Sequence, residues 1–70
     1  MTPLQRKREE AGLKLTELAS RAQYDPTILS KIEHGKRRMS VDDVMRLARA
    51  IGCHPSDLLP DIEYETPAHV

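Results

Sequence analysis

The side chains best placed to do chemistry lie in one stretch, Asp25-Pro26-Thr27-Ile28-Leu29-Ser30-Lys31-Ile32-Glu33-His34-Gly35-Lys36-Arg37-Arg38. Read as a helix opened by Asp-Pro, it puts Thr27, Ile28 and Lys31 on one face and leaves Leu29 and Ile32 on another that can pack inward. It stops at a glycine and continues into three consecutive cations. A helix buried purely as core needs no such ending, whereas a helix held against a polyanion does. The available chemistry is therefore non-covalent: charge-assisted hydrogen bonds from ammonium and guanidinium groups to anionic oxygens. On its own the basic triplet also fits a solvated turn.

Catalytic chemistry finds no support. His34, His54 and His69 are scattered along the chain, and no Ser/His/Asp order, phosphate-cradling glycine loop or carboxylate pair in a recognisable setting accompanies them. Their spacing matches no known metal-site type. The single cysteine, Cys53, excludes an intrachain disulfide and any Cys-based metal site. An enzyme is not expected, nor is a metal or cofactor. The charged start MTPLQRKREE argues against a secretory leader, and no apolar run approaches the ~20 residues needed to span a bilayer. A soluble protein of a reducing cytoplasm is the reading.

The formal net charge is zero, but its distribution is not even. Residues 1–49 hold all 11 Lys and Arg with seven acids, and residues 50–70 hold the other four acids, Asp57, Asp61, Glu63 and Glu65, with no Lys or Arg. A basic body thus carries an acidic C-terminal end.

The elements that must position these side chains are short and helical. Thr2-Pro3-Leu4-Gln5 has the form of a helix start with a capping box, and that helix should end near Ala11-Gly12. Leu15, Leu18, Ala19 and Ala22 mark a second helix beginning near Lys14. Asp25-Pro26 opens the third and Gly35 closes it. Ser40-Val41-Asp42-Asp43 opens a fourth, whose stripe is Val41, Val44, Leu47, Ala48 and Ile51, ended by Gly52. His54-Pro55 starts a fifth, through Leu58 and Leu59 to Pro60, with His54 as its cap. Only Gln23-Tyr24-Asp25 joins the second and third helices, which forces a steep crossing, the geometry of a helix-turn-helix. With no Phe or Trp, Leu, Ile, Val and Ala must fill the core, and Tyr24 is the one large ring near it.

From Leu4 to Leu59 the chain resembles the Xre/Cro-type helix-turn-helix domain of phage repressors and bacterial regulators. The landmarks are Arg8, Gly12-Leu13, Glu17-Leu18-Ala19, Leu29-Ser30-Lys31-Ile32-Glu33, His34-Gly35-Lys36-Arg37, Leu47-Ala48-Arg49-Ala50-Ile51-Gly52 and Pro55-Ser56-Asp57-Leu58-Leu59. No single piece is diagnostic; their order and spacing together are. The resemblance implies an all-α, compact five-helix lambda-repressor-like domain over residues 1–60, with residues 61–70 an acidic tail. It implies a third helix in the major groove of double-stranded DNA, with Thr27, Ile28 and Lys31 where the family reads bases. Lys31 can donate to guanine O6/N7, Thr27 offers a hydroxyl and a methyl, and Ile28 suits a thymine methyl. A core position for Ile28 stands beside that reading. Lys14, His34, Lys36, Arg37 and Arg38 fall where phosphates are met, which supplies affinity without sequence information. Arg8 and Glu33 occupy the family's partly buried ion pair.

Three departures stand out. Leu15 replaces a glutamine that often bonds a phosphate in related repressors, leaving Lys14 as a point charge on a poorer helix cap. Gln23 sits where glycine is common, so it must adopt or avoid a left-handed conformation. Pro26 removes a polar side chain from the reading helix. One such domain offers few contacts, so a homodimer on a two-fold symmetric operator, acting as a repressor, is the expected form. Leu58, Leu59, Ile62 and Tyr64 are candidates for the dimer contact; capping the chain's own core is an equal alternative. A protein-interaction module, such as an antitoxin or a partner of another regulator working through its acidic tail, is the rival function.

Overall fold

The computed structural model describes residues 2–59, and within them all regular structure is helical: α1 (Pro3–Glu10), α2 (Leu15–Ala22), α3 (Pro26–Glu33), α4 (Val41–Ile51) and a closing 3₁₀ turn over Pro55–Leu58. The tail residues named above, including Ile62, Tyr64 and His69, lie outside the described residues.

Side chains that satisfy the first orphan amides set each helix start. The Asp25 carboxylate accepts from the Thr27 amide at 2.7 Å, with Pro26 already in helical φ. At α4 the capping box is complete: the Asp43 amide donates to Ser40 Oγ at 3.1 Å, and the Ser40 amide to Asp43 Oδ2 at 2.9 Å. Lys14 has no acceptor to offer at the start of α2, so only the return half forms there, from the Lys14 amide to Glu17 Oε1 at 2.8 Å. At α1 the Thr2 hydroxyl accepts from the Gln5 amide at 3.2 Å, but Gln5 does not close a box; its side-chain amide donates to Glu9 instead, at 3.4 Å. Thr2 is also a long-range tie, donating to the Glu33 carbonyl at 2.8 Å and so pinning the start of α1 to the end of α3.

The fifth helix expected after Gly52 is a single 3₁₀ turn, leaving four α-helices among the described residues. Four residues opened by Pro55 provide bonds only to the third residue back: the Asp57 amide reaches the His54 carbonyl at 2.9 Å, and the Leu59 amide reaches Ser56 at 3.4 Å. Leu59 is then already extended, with ψ of 138°. The turn still does a helix's packing work, because it bridges α4 and α1.

The core is built from Leu4, Leu13, Leu18, Leu29, Leu47 and Leu58, joined by Ile32, Val44 and the alanines 19, 22 and 48. Alanine at 19, 22 and 48 leaves room for α2 to pack on both α3 and α4. Leu58 is fully buried, so of the two places open to it the chain's own core takes it, and it is not a surface for a dimer. Leu59 is only half-buried at the edge of that core.

Candidate nucleic-acid interface

Helix α3 has a strict inside and outside. Leu29, Ile32 and Glu33 are buried, while Thr27 and Lys31 stand exposed. Ile28 belongs to both: it packs against the core cluster yet keeps part of its surface in solvent. Its χ1-stiff branched side chain can therefore be held by the core and still offer a methyl outward.

Beyond α3 the chain folds back on the helix end. Gly35, at φ +74°, makes the reversal, and the amides of Lys36 and Arg37 both donate to the Lys31 carbonyl, at 2.8 and 3.3 Å. Lys36, Arg37 and Arg38 are consequently held as exposed cations at the C-terminal end of the helix that carries Lys31. The negative end of the helix dipole favours them there. His34 is exposed too, with Nδ1 2.7 Å from the Ser30 carbonyl, a geometry that requires the proton on Nδ1. Lys14 stands exposed at the start of α2. Among the described residues none of Lys14, Lys31, Lys36, Arg37 and Arg38 has a carboxylate at ion-pair distance.

Arg8 and Glu33 are different in kind. Arg8 Nε lies 2.5 Å from Glu33 Oε2 and Nη2 3.2 Å from Oε1, a two-pronged pair, and Nη1 donates to the Leu13 carbonyl at 2.7 Å. The Glu33 side chain is 2% exposed and that of Arg8 12%. One guanidinium thereby ties α1, the α1–α2 link and the end of α3 together. Neither group is available to a ligand.

The helix-turn-helix bend itself is held by two residues of α4, Asp43 and Arg46, to which the sequence alone assigned no part in it. Gln23 takes the left-handed conformation (φ 62°, ψ 47°) as the cap of α2, with the Tyr24 amide reaching back to the Ala19 carbonyl at 2.8 Å. Arg46 of α4 then donates through Nη2 to the Ala22 and Gln23 carbonyls, at 2.6 and 3.2 Å, and its Cζ lies 4.5 Å from the centre of the Tyr24 ring. The Tyr24 hydroxyl donates to Asp43 Oδ1. Burial and the Asp43 contact push the Tyr24 phenol up to about 12. Burial works against the Asp43 carboxylate, but hydrogen bonds from Tyr24 and Ser40 outweigh it and hold its pKa below the ordinary value. The one available hint was that Asp43 and Arg46, three apart on α4, share a helical face that its apolar stripe does not use.

Among the described residues no three His, Cys, Asp or Glu side chains gather as a metal site would require, and no helix is long and apolar enough to cross a membrane. Burial raises the Cys53 thiol pKa, which keeps it a poor nucleophile.

Comparison with known proteins agrees with this geometry. The signature of the Helix-turn-helix family matches residues 4–58. Over 57 residues the chain is 35% identical to the HTH-type transcriptional regulator DdrOP3 of Deinococcus deserti, a match covering 81% of this chain but 44% of that protein. The chain thus spans less than half the length of that relative. Its fold is similar to the crystal structure of the restriction-modification controller protein C.AhdI from Aeromonas hydrophila, with a TM-score of 0.77, 28% identity, and coverage of 81% of this chain and 86% of that one. A family signature over most of the chain, carried on a matching helical framework with the turn between α2 and α3, makes this chain a member of the Xre/Cro-type helix-turn-helix family of transcriptional regulators.

Proposed function

We propose that the chain binds double-stranded DNA sequence-specifically through α3 and represses transcription as a homodimer on a two-fold symmetric operator. The observation that carries the reading is the arrangement at α3: Thr27 and Lys31 exposed on its outer face, with the exposed cations Lys36, Arg37 and Arg38 folded back onto its C-terminal end. With α3 in the major groove, the Lys31 ammonium donates to guanine O6/N7, the Thr27 hydroxyl bonds a base edge, and the exposed part of Ile28 meets a thymine methyl. Lys36, Arg37 and Arg38 on one side of the groove and Lys14 on the other neutralise phosphates. His34 joins them through Nε2 only when its ring is protonated, because Nδ1–H is committed to the Ser30 carbonyl.

An apolar groove supports a protein contact as well. Val41 is 82% exposed and Met45 49%, both on α4, and with Met39, Val44, Pro55 and Leu59 they line an open groove of about 430 Å³. A second copy of the chain is the occupant that the operator reading requires. The rival reading, a module that binds another protein such as a toxin or a second regulator, draws on the same groove and on the acidic tail.

The test is a salt titration of binding to duplex spanning the promoter upstream of the protein's own gene, beside random duplex. Wild type should prefer one site. Lys31→Ala should lose that preference, and Lys36→Ala should weaken both duplexes alike with a shallower salt dependence, by about 0.9 in log–log slope for the lost phosphate contact. Equal affinity of wild type for both duplexes at every salt concentration counts against the operator reading and favours the protein-binding one.

A further inference from the structure

The reading helix does not set its own angle. Eight-residue α3 is joined to α2 by a turn whose pivot, Gln23, is a non-glycine residue held at φ 62°. Such a conformation persists only where the surroundings determine it. The carbonyls of Ala22 and Gln23 end α2 and are orphan acceptors that the α-helix itself cannot satisfy. Both are taken by one side chain from across the fold, Arg46 of α4. That guanidinium is itself immobilised by the Tyr24 ring beneath it, and Tyr24 is fixed at its far end by Asp43, one turn earlier on α4 than Arg46. Asp43 is anchored in turn by the Ser40 amide. A closed circuit runs from α4 to the turn's carbonyls, to the turn's ring, and back to α4.

We propose that Arg46, with Tyr24 and Asp43, is a specificity-determining positioning device: it fixes the pitch of α3 against α2 and α4, and thereby decides whether Thr27 and Lys31 meet base edges. This rests on the reading of α3 as the DNA-reading helix. Arg46 is exposed, but its guanidinium is committed to the Ala22 and Gln23 carbonyls and the Tyr24 ring, and the cations assigned to phosphates are others. Base readout is short-ranged and geometric, whereas phosphate attraction tolerates small displacements. Loosening the turn therefore removes discrimination before it removes attraction. Lysine at 46 keeps the charge but loses the planar fork that spans two carbonyls and the flat face that lies on the ring.

Two measurements test this. The first is the ratio of affinities for the promoter site and for random duplex, with the salt slope of each, for wild type, Arg46→Ala, Arg46→Lys and Tyr24→Phe. A loss of folded fraction lowers both affinities together and leaves the ratio untouched. Arg46→Ala and Arg46→Lys should each lower the ratio by about ten-fold or more, the loss of one good base contact, with the slope unchanged. Tyr24→Phe, which keeps the ring under the guanidinium, should fall between them and wild type. A preserved ratio, or a slope reduced as if a phosphate contact had gone, overturns the proposal. The second measurement needs no DNA: residual dipolar couplings of backbone amides in the free protein. In Arg46→Ala those of α3 should shrink or reorient relative to α2 and α4, while α2 and α4 keep their mutual orientation. Unchanged α3 couplings overturn the proposal even if wild type proves to have no preferred site, a result that would sink the operator reading on separate grounds.

Discussion

Removing Arg8 should be the most damaging single surface-to-core change in this domain, and the reason can be worked from the structure. Glu33 is 2% exposed and its carboxylate faces one cation, so Arg8→Ala strands a buried charge. Breaking half of a buried pair costs about 3–5 kcal/mol. At roughly 0.05–0.15 kcal/mol per residue, 70 residues give a total of only about 4–10 kcal/mol, so the variant should be partly unfolded at room temperature. Its Tm should drop by roughly 12 °C or more. Glu33→Gln should be milder, because the Arg8 side chain left behind is 12% exposed and can recruit water. The decisive variant is the double, Arg8→Met with Glu33→Leu. It strands no charge, and its residual penalty is the Leu13 carbonyl that loses its 2.7 Å donor, about 1–3 kcal/mol, set against the desolvation that the ion pair no longer incurs. Urea unfolding followed by circular dichroism should place the double within about 2 kcal/mol of wild type and above Arg8→Ala. If instead the two single losses simply add in the double, the pair is not coupled and the reasoning fails.

Other outcomes follow from the same geometry. Gln23→Gly should raise the unfolding free energy read from urea titration by about 0.5–1 kcal/mol, because glycine takes φ 62° without a Cβ penalty; a lower value would mean the glutamine side chain contributes something the backbone does not show. Ser40→Ala removes the acceptor for the Asp43 amide and should cost about 1 kcal/mol in the same assay. Tyr24, raised from 10.0 to about 12 in the fold, contributes stability that is whole below pH 10 and is lost as pH climbs from 10 towards 12; the gap between wild type and Tyr24→Phe should close over that window. Asp43, lowered from 3.8, contributes stability that is whole above that value and is lost as pH falls below it, so Asp43→Asn should flatten the acid limb of the stability profile.

What could be read in advance was what acts locally. Pro3, Asp25-Pro26 and Ser40 mark helix starts because a cap and a fixed φ work within one turn, and each start lies where those residues put it. The closing element was over-read because Pro55 opens a 3₁₀ turn as readily as an α-helix, and four residues do not sustain the latter. Ile28 had two readings because its position lies between the outward and inward faces of α3, and it does border both. Arg46 was illegible for a different reason. Its partners at Ala22 and Gln23 are 24 and 23 residues away, and no periodicity within α4 distinguishes an arginine bound for a carbonyl from one bound for water.

That distinction explains how a chain of zero net charge can still be built to hold a polyanion. Two groups of its cations are sorted by what they touch, apart from others such as Lys7, which pairs with Glu10 on the surface at 3.4 Å. Arg8, half-buried, and Arg46, exposed, are both committed to acceptors of the protein itself, each spanning two or more, work suited to a planar fork with five donors and ill-suited to an ammonium. Lys14, Lys31, Lys36, Arg37 and Arg38 have no carboxylate at ion-pair distance among the described residues, and three of the five are lysines. The acids are sorted likewise: Glu33 and Asp43 are buried or half-buried in structural contacts, and Glu17 is turned back onto its own helix start. The net charge sums over both kinds and so says little about the field at α3. The field there is set by the exposed cations Lys14, Lys31, Lys36, Arg37 and Arg38, and the pose of α3 by the guanidinia of Arg8 and Arg46. Affinity and specificity should therefore respond to different arginines and lysines: charge removal at Lys36, Arg37 or Arg38 should move the salt dependence, and fork removal at Arg46 the discrimination.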